Sequence, residues 1–210
     1  MMYSELYFGK LTMYFNAYNI CPMSYGITRE KALNLVNENL KNKNLIKHCL
    51  ATEAVMTSLA EYLNEDKEKW SLTGLLHDLD VELCNADIKV HGKETARILK
   101  ENNVDDEIIE AVRMHNEVEA GKKRSEKFHH ALAAGETITG LIIATTLVYP
   151  DKKLASVKPK SITKRMKAKA FAASVNREII KECELIGIPL AEFAELCLKA
   201  MQSIHEELGL

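Results

Sequence analysis

From Thr28 onward nearly every segment of this chain places apolar residues three and four apart, and that helical period leaves it little else to fold into. Nine Gly and four Pro in 210 residues supply too few turn formers for a many-stranded sandwich. The predicted class is all-α. Thr28 caps a helix to about Leu40, and a second runs from about Asn44 to Leu63 with Leu45, Cys49, Val55, Leu59 and Leu63 on its apolar positions. Asp66 caps a third, which passes Trp70 and Leu76 and ends on the pair His77-Asp78. A fourth covers Gly92 to Lys100, and Asp105 or Asp106 opens a fifth that leads through Ile108, Val112 and Met114 to His115. The most apolar stretch, "FHHALAAGETITGLIIATTLV", reads as a central helix stopping before Pro150. Beyond it "VKPKSITKRMKAKAFAASVNR" is basic, "REIIKECELIG" reads as a helix ended by Gly187, and Pro189 opens a last helix to about Glu207.

The expected organisation is a helical bundle over residues 28–150 with a C-terminal helical extension, 151–210, packed on it. Residues 1–27 are read as a separate segment, disordered or begun ahead of a true start at Met23. No segment reads as a membrane span, and the N-terminus lacks the basic region and clean apolar core of a signal peptide. Five scattered cysteines without a CxxC pair argue against a disulfide framework and for a reducing, cytoplasmic setting. A net charge of −2 gives no global field to attract nucleic acid, which is disfavoured as a partner; self-association is left open.

The histidines are placed in a telling way. His48 falls within the second helix, His77-Asp78 closes the third, His91 starts the fourth and His115 closes the fifth. Neutral imidazole and carboxylate together suit borderline divalent metals: iron, manganese, zinc or nickel. Four separately buried imidazoles would each need their own hydrogen-bond partners, whereas a shared centre of one or two ions meets that need at once. His205 reads as a core or surface residue rather than a ligand, and His129 and His130 as the polar start of the central helix, with one of them facing the pocket as the alternative.

The order His … His-Asp … His … His … carboxylate resembles the HD-domain superfamily of metal-dependent phosphohydrolases over about residues 28 to 150, and "TGLLHDLD" is close to that family's central motif. The chain also resembles a smaller group of predicted HD hydrolases that share "ETITGL", the basic "KSITKRMKAKAF" region and an acidic C-terminal helix. The resemblance implies that His48, His77 and Asp78 hold a first metal, that His91 and His115 match the added ligands of two-metal members, and that a late carboxylate completes the site. Glu136 matches that last position, where the family usually has Asp; Asp151 is the alternative, in a loop past the helix.

A divalent ion would bring the pKa of water from 15.7 to about 7, so no protein nucleophile is needed. His77 and Asp78 are the expected catalytic pair. No nucleophile elbow or P-loop is present. Phosphate needs further positive charge, and Lys160 with Lys164 or Arg165 is expected to lean over the pocket and bind it. The function expected is therefore hydrolysis of a nucleotide or other small phosphate ester. A mixed-valent di-iron oxygenase of the same superfamily is the alternative, and a non-catalytic signalling or interaction module the third reading.

Overall fold

The computed structural model describes residues 25–210; the expectation for the N-terminal segment therefore lies, for residues 1–24, outside the described residues. These are helical, with no strand among the described residues. The helix starts are where local chemistry puts them. Thr28 accepts from the Lys31 amide to begin α1 (Arg29–Asn39), Asn42 from Asn44 to begin α2 (Lys43–Leu63), and Asp66 from Lys69 to begin α3 (Lys67–Leu76). Asp105 caps α5 (Asp106–Met114), which follows α4 (Lys93–Glu101). A single turn, α6 (Glu117–Ala120), leads to the central α7 (Lys127–Leu147). By length and composition α7 could cross a membrane, but it runs through the bundle, with 61% of its most apolar window buried.

The last third departs from expectation in detail. The basic segment is helical only over α8 (Pro159–Met166): Ile162 and Met166 are its buried positions, and residues 167–170 after them are all exposed. The chain then turns, and the Arg177 guanidinium donates to the carbonyls of Phe171, Ala172 and Val175 to close the turn. "REIIKECELIG" is α9 (Arg177–Ile180) continued as a 3-10 turn at Lys181–Glu184. Its buried residues Ile180, Cys183 and Ile186 are three apart, the period of a 3-10 rather than an α-helix. The final helix breaks at Ile204 into α10 (Leu190–Ser203) and α11 (His205–Leu208). His205 is exposed.

Two apolar clusters fill the interior. One joins α2, α7 and the C-terminal helices around Leu59, Ile138, Leu141 and Phe193. The other gathers Val36, Leu72, Leu76, Leu99 and Ile108 from α1, α3, α4 and α5. Helix α2 packs against α3 on one side and α7 on the other, and both neighbours come close through glycine. A Cβ on Gly74 would lie 2.7 Å from the Thr52 carbonyl oxygen, and one on Gly135 3.2 Å from Val55. That closeness sets the spacing of the three helices that carry His48, His77 and Glu136. Cys49, Cys84, Cys183 and Cys197 are free thiols.

Candidate metal centre

His77 and His115 reach the interior by the same device. Each is the C-cap of its helix, α3 or α5, and each donates its Nδ1 proton to the carbonyl three residues back, Gly74 (2.8 Å) or Val112. Carbonyls in a last helical turn have no helical partner, so the imidazole satisfies one of them. Its Nε2 then points onward, past the helix end. His48 projects from the side of α2, and its Nδ1 donates to the Thr139 hydroxyl (2.9 Å), which itself donates to the Glu136 carbonyl (2.7 Å). His91 stands just ahead of α4, and its Nδ1 donates to Asp80 Oδ1 (2.8 Å).

Since every Nδ1 faces an acceptor, every neutral ring here carries its proton on Nδ1 and presents a bare Nε2 lone pair. Those lone pairs face one another: His48 Nε2 lies 3.1 Å from His77 Nε2, and His91 Nε2 2.9 Å from His115 Nε2. Two bare lone pairs at that distance repel; a proton on one ring, as on His91, or a shared cation removes the repulsion. Two ligands in adjacent octahedral positions at about 2.1 Å from an ion are about 3.0 Å apart, so the spacing fits. Asp78 sits between the pairs, with Oδ2 3.6 Å from His48 and Oδ1 3.5, 3.1 and 3.7 Å from His77, His91 and His115. Two groups result, His48–His77–Asp78 and Asp78–His91–His115, each offering ligand atoms within 4.8 Å of one another. Glu136 Oε2 approaches His48 Nε2 at 3.8 Å and stands beside both groups. Asp151, the other candidate for the late ligand, is exposed and takes the Ser156 hydroxyl.

Asp80, the last residue of "TGLLHDLD" and without a role assigned from sequence, does two things. Its Oδ2 accepts the amides of Gly92 (2.8 Å), Glu94 (3.1 Å) and Thr95 (3.2 Å), while Oδ1 holds His91. Helix α4 starts at Gly92, which has no side chain to cap it, and Asp80 supplies the missing cap from twelve residues upstream. The arrangement orients a metal-type ligand through a carboxylate on its far nitrogen. Asp80, Cys84 and His91 also cluster, but the His91 Nδ1 they would share is already given to Asp80 and lies 3.9 Å from the Cys84 sulfur. Arg124 is the second residue missed. Buried, it donates to the carbonyls of Met114 (3.0 Å) and His115 (3.1 Å) and pairs with Glu182 (2.7 Å), which also accepts from His130 (2.7 Å). The cap at least has a sequence signal, a helix beginning on Gly without a Ser, Thr, Asp or Asn before it.

A cavity of about 600 Å³ opens over Asp78, His91, His115 and Glu136. Lys160, Lys164 and Arg165 do not line it, and this corrects the expectation that they lean over the pocket. Helix α8 packs on α10 and α7 with its apolar face inward, which sends Lys160 and Lys164 to solvent and lays Arg165 over the Phe171 ring at 4.0 Å. The cations on this cavity wall are Lys123 and Arg124 among the described residues.

Burial drives the His77 and His115 pKa values down to about 4. Burial also works against a charged His91, but its hydrogen bonds to Asp78 and Asp80 win and raise it to about 11. Burial, with Asp78 nearby, lifts Glu136 to about 8. At pH 7 His91 therefore holds a proton on the nitrogen a metal needs, and so does most of Glu136. Metal binding to metal-free protein is expected to release about one proton from His91, with apparent affinity rising about tenfold per pH unit between pH 6 and 8. A second released proton comes from Glu136 or from water on the metal, and its loss in a Glu136→Gln variant identifies Glu136 as a ligand. Metal titration in weakly buffered solution counts both, and no release at pH 7 contradicts the assignment.

Residues 45–148 match the family model of the HD domain. Comparison with curated proteins and with solved structures gives no match. The matched span begins just before His48 and ends past Glu136, and so contains all the side chains described above as converging. HD domains bind divalent metals and are mostly metal-dependent hydrolases, and the His/Asp groups here fit that chemistry; the chain belongs to the HD-domain superfamily.

Proposed function

We propose that this protein is a metal-dependent phosphohydrolase that acts on a small phosphate ester, nucleotides included, with His48, His77, Asp78, His91, His115 and Glu136 as its metal ligands. One observation carries the reading: four Nδ1 atoms are committed outward while four Nε2 atoms turn toward one shared carboxylate, Asp78, which reaches the cavity together with His91 and His115. A divalent ion bound there supplies Lewis acidity and draws the pKa of water toward about 7. The chain's own part is to hold and orient. Asp80 and the Gly74 and Val112 carbonyls fix the rings, and Arg124 fixes the backbone of His115. Asn116 ties the turn ahead of α4 to that same corner by donating to the carbonyls of Ile88 (2.7 Å) and His91 (2.8 Å). Both cations of the cavity wall are already paired, Arg124 with Glu182 and Lys123 with Glu117, so the metal centre is left to meet the phosphate. In this reading the partner is a small phosphorylated molecule, met in the cytoplasm.

The test is phosphate release, without oxygen, from a panel of phosphate esters by protein reconstituted in turn with manganese, iron, zinc and nickel. Release that disappears on chelation and returns with metal is expected. Oxygen uptake by the iron-loaded protein with no phosphate released overturns the proposal in favour of the oxygenase.

A further inference from the structure

The wall of the cavity over the histidine cluster is electrically self-compensated. Lys123 pairs with Glu117 (2.7 Å) and Arg124 with Glu182 (2.7 Å), and these are its two cations among the described residues. Glu178 adds a further carboxylate, matched by Lys181 (2.9 Å) outside the lining. A phosphate held at the floor has the metal centre to neutralise it. A second or third phosphate would extend toward Glu117, Glu178 and Glu182 with no uncommitted cation to meet it, and each such charge would be left poorly compensated.

The rest of the wall is aliphatic. Ile88 and Val118 are 55% and 56% exposed and both line the cavity, with Ala86 and Ile179 beside them. Exposed branched aliphatics at a cavity mouth gain free energy from any apolar group that covers them. The volume, about 600 Å³, is in the range of small-molecule sites.

Resting on the hydrolase reading above, we propose that this cavity selects phosphate monoesters whose alcohol part is uncharged and apolar, and discriminates against polyphosphates and against esters of polyhydroxy alcohols. The phosphate faces Asp78, His91 and His115, and the alcohol lies against Ile88 and Val118. Hydrolysis adds water across the phosphorus–oxygen ester bond, yielding inorganic phosphate and the free alcohol, with the leaving oxygen taking a proton from water.

The experiment compares hexyl phosphate with glycerol 3-phosphate, both esters of primary alcohols so that the bond broken is matched, and with pyrophosphate and ATP, on the metal-reconstituted full chain. Hexyl phosphate is expected to show a kcat/KM about ten- to a hundredfold above glycerol 3-phosphate and at least about tenfold above the polyphosphates. An Ile88→Asn/Val118→Asn double variant, altered only at exposed positions, is expected to raise KM for hexyl phosphate about tenfold with metal content unaltered. Faster turnover of glycerol 3-phosphate, pyrophosphate or ATP overturns the inference and leaves the hydrolase reading standing. A double variant that keeps the full preference for hexyl phosphate also overturns it. Release from none of these esters overturns the hydrolase reading itself and the inference with it.

Discussion

An Asp78→Ala variant is expected to lose metal from both histidine pairs at once. Asp78 belongs to both ligand groups, and its two oxygens lie between 3.1 and 3.7 Å from all four Nε2 atoms. Without it the four imidazoles keep only Glu136, beside His48, as an anion, and a dication there gives up its water with much less of the charge compensation that makes the exchange favourable. Loss of a mere orienting partner costs about 10–100-fold in metal affinity, and loss of the shared carboxylate is expected to exceed that. His48→Ala and His115→Ala are the matched controls, each expected to empty one pair and leave the other. Elemental analysis after dialysis separates the three variants. Thermal melts add a second readout, because a ligand at 100 times its Kd stabilises the fold by about 2.7 kcal/mol, and Asp78→Ala should lose that metal-dependent gain entirely. A full metal complement in Asp78→Ala contradicts the assignment.

Gly74→Ala is expected to produce the largest stability loss of any glycine-to-alanine change within the described helices. The added Cβ would meet backbone, not a side chain: 2.7 Å from the Thr52 oxygen, 2.9 Å from its carbon and 3.0 Å from the Glu53 nitrogen. Backbone cannot rotate out of the way, so α2 and α3 must separate. Overpacking of this kind costs about 1–3 kcal/mol or more, of which the better helix propensity of Ala returns about 1 kcal/mol. A chain of this length loses about 2–4 °C in Tm for each kcal/mol. The same separation draws His48 on α2 away from His77 at the end of α3, now 3.1 Å apart. Gly74→Ala should therefore weaken metal binding at the first pair and spare the second, whose histidines come from α5 and the turn before α4. Equal loss at both pairs would mean general unfolding rather than a wedge between two helices.

What could be read from the chain follows from how local each determinant is. Three helix starts were legible because Thr28, Asp66 and Asp105 act on amides two or three residues away. The convergence of His77, Asp78, His91 and His115 was legible because helix ends are where side chains can leave a bundle's packing and meet, and His48 joins them from an inward helix face. The basic segment was misplaced because charge along a sequence says nothing about direction; the burial of Ile162 and Met166 decides that, and it turns the lysines outward. The roles of Asp80 and Arg124 escaped because their partners, Gly92 and Glu182, lie 12 and 58 residues away along the chain.

Asp80 grips both ends of the surface segment between itself and Gly92, so that stretch is a hoop of fixed circumference. Most of its side chains face solvent and are free to change, and Asn85 and Ala86 already take left-handed backbone angles, φ 51° and 54°, to make the bend. Adding or deleting one residue is a different matter: the imidazole would rotate off its carboxylate and the following helix would lose its first turn together. Descendants of this chain can thus repaint the hoop, and with it one wall of the cavity at Ile88, but they cannot resize it.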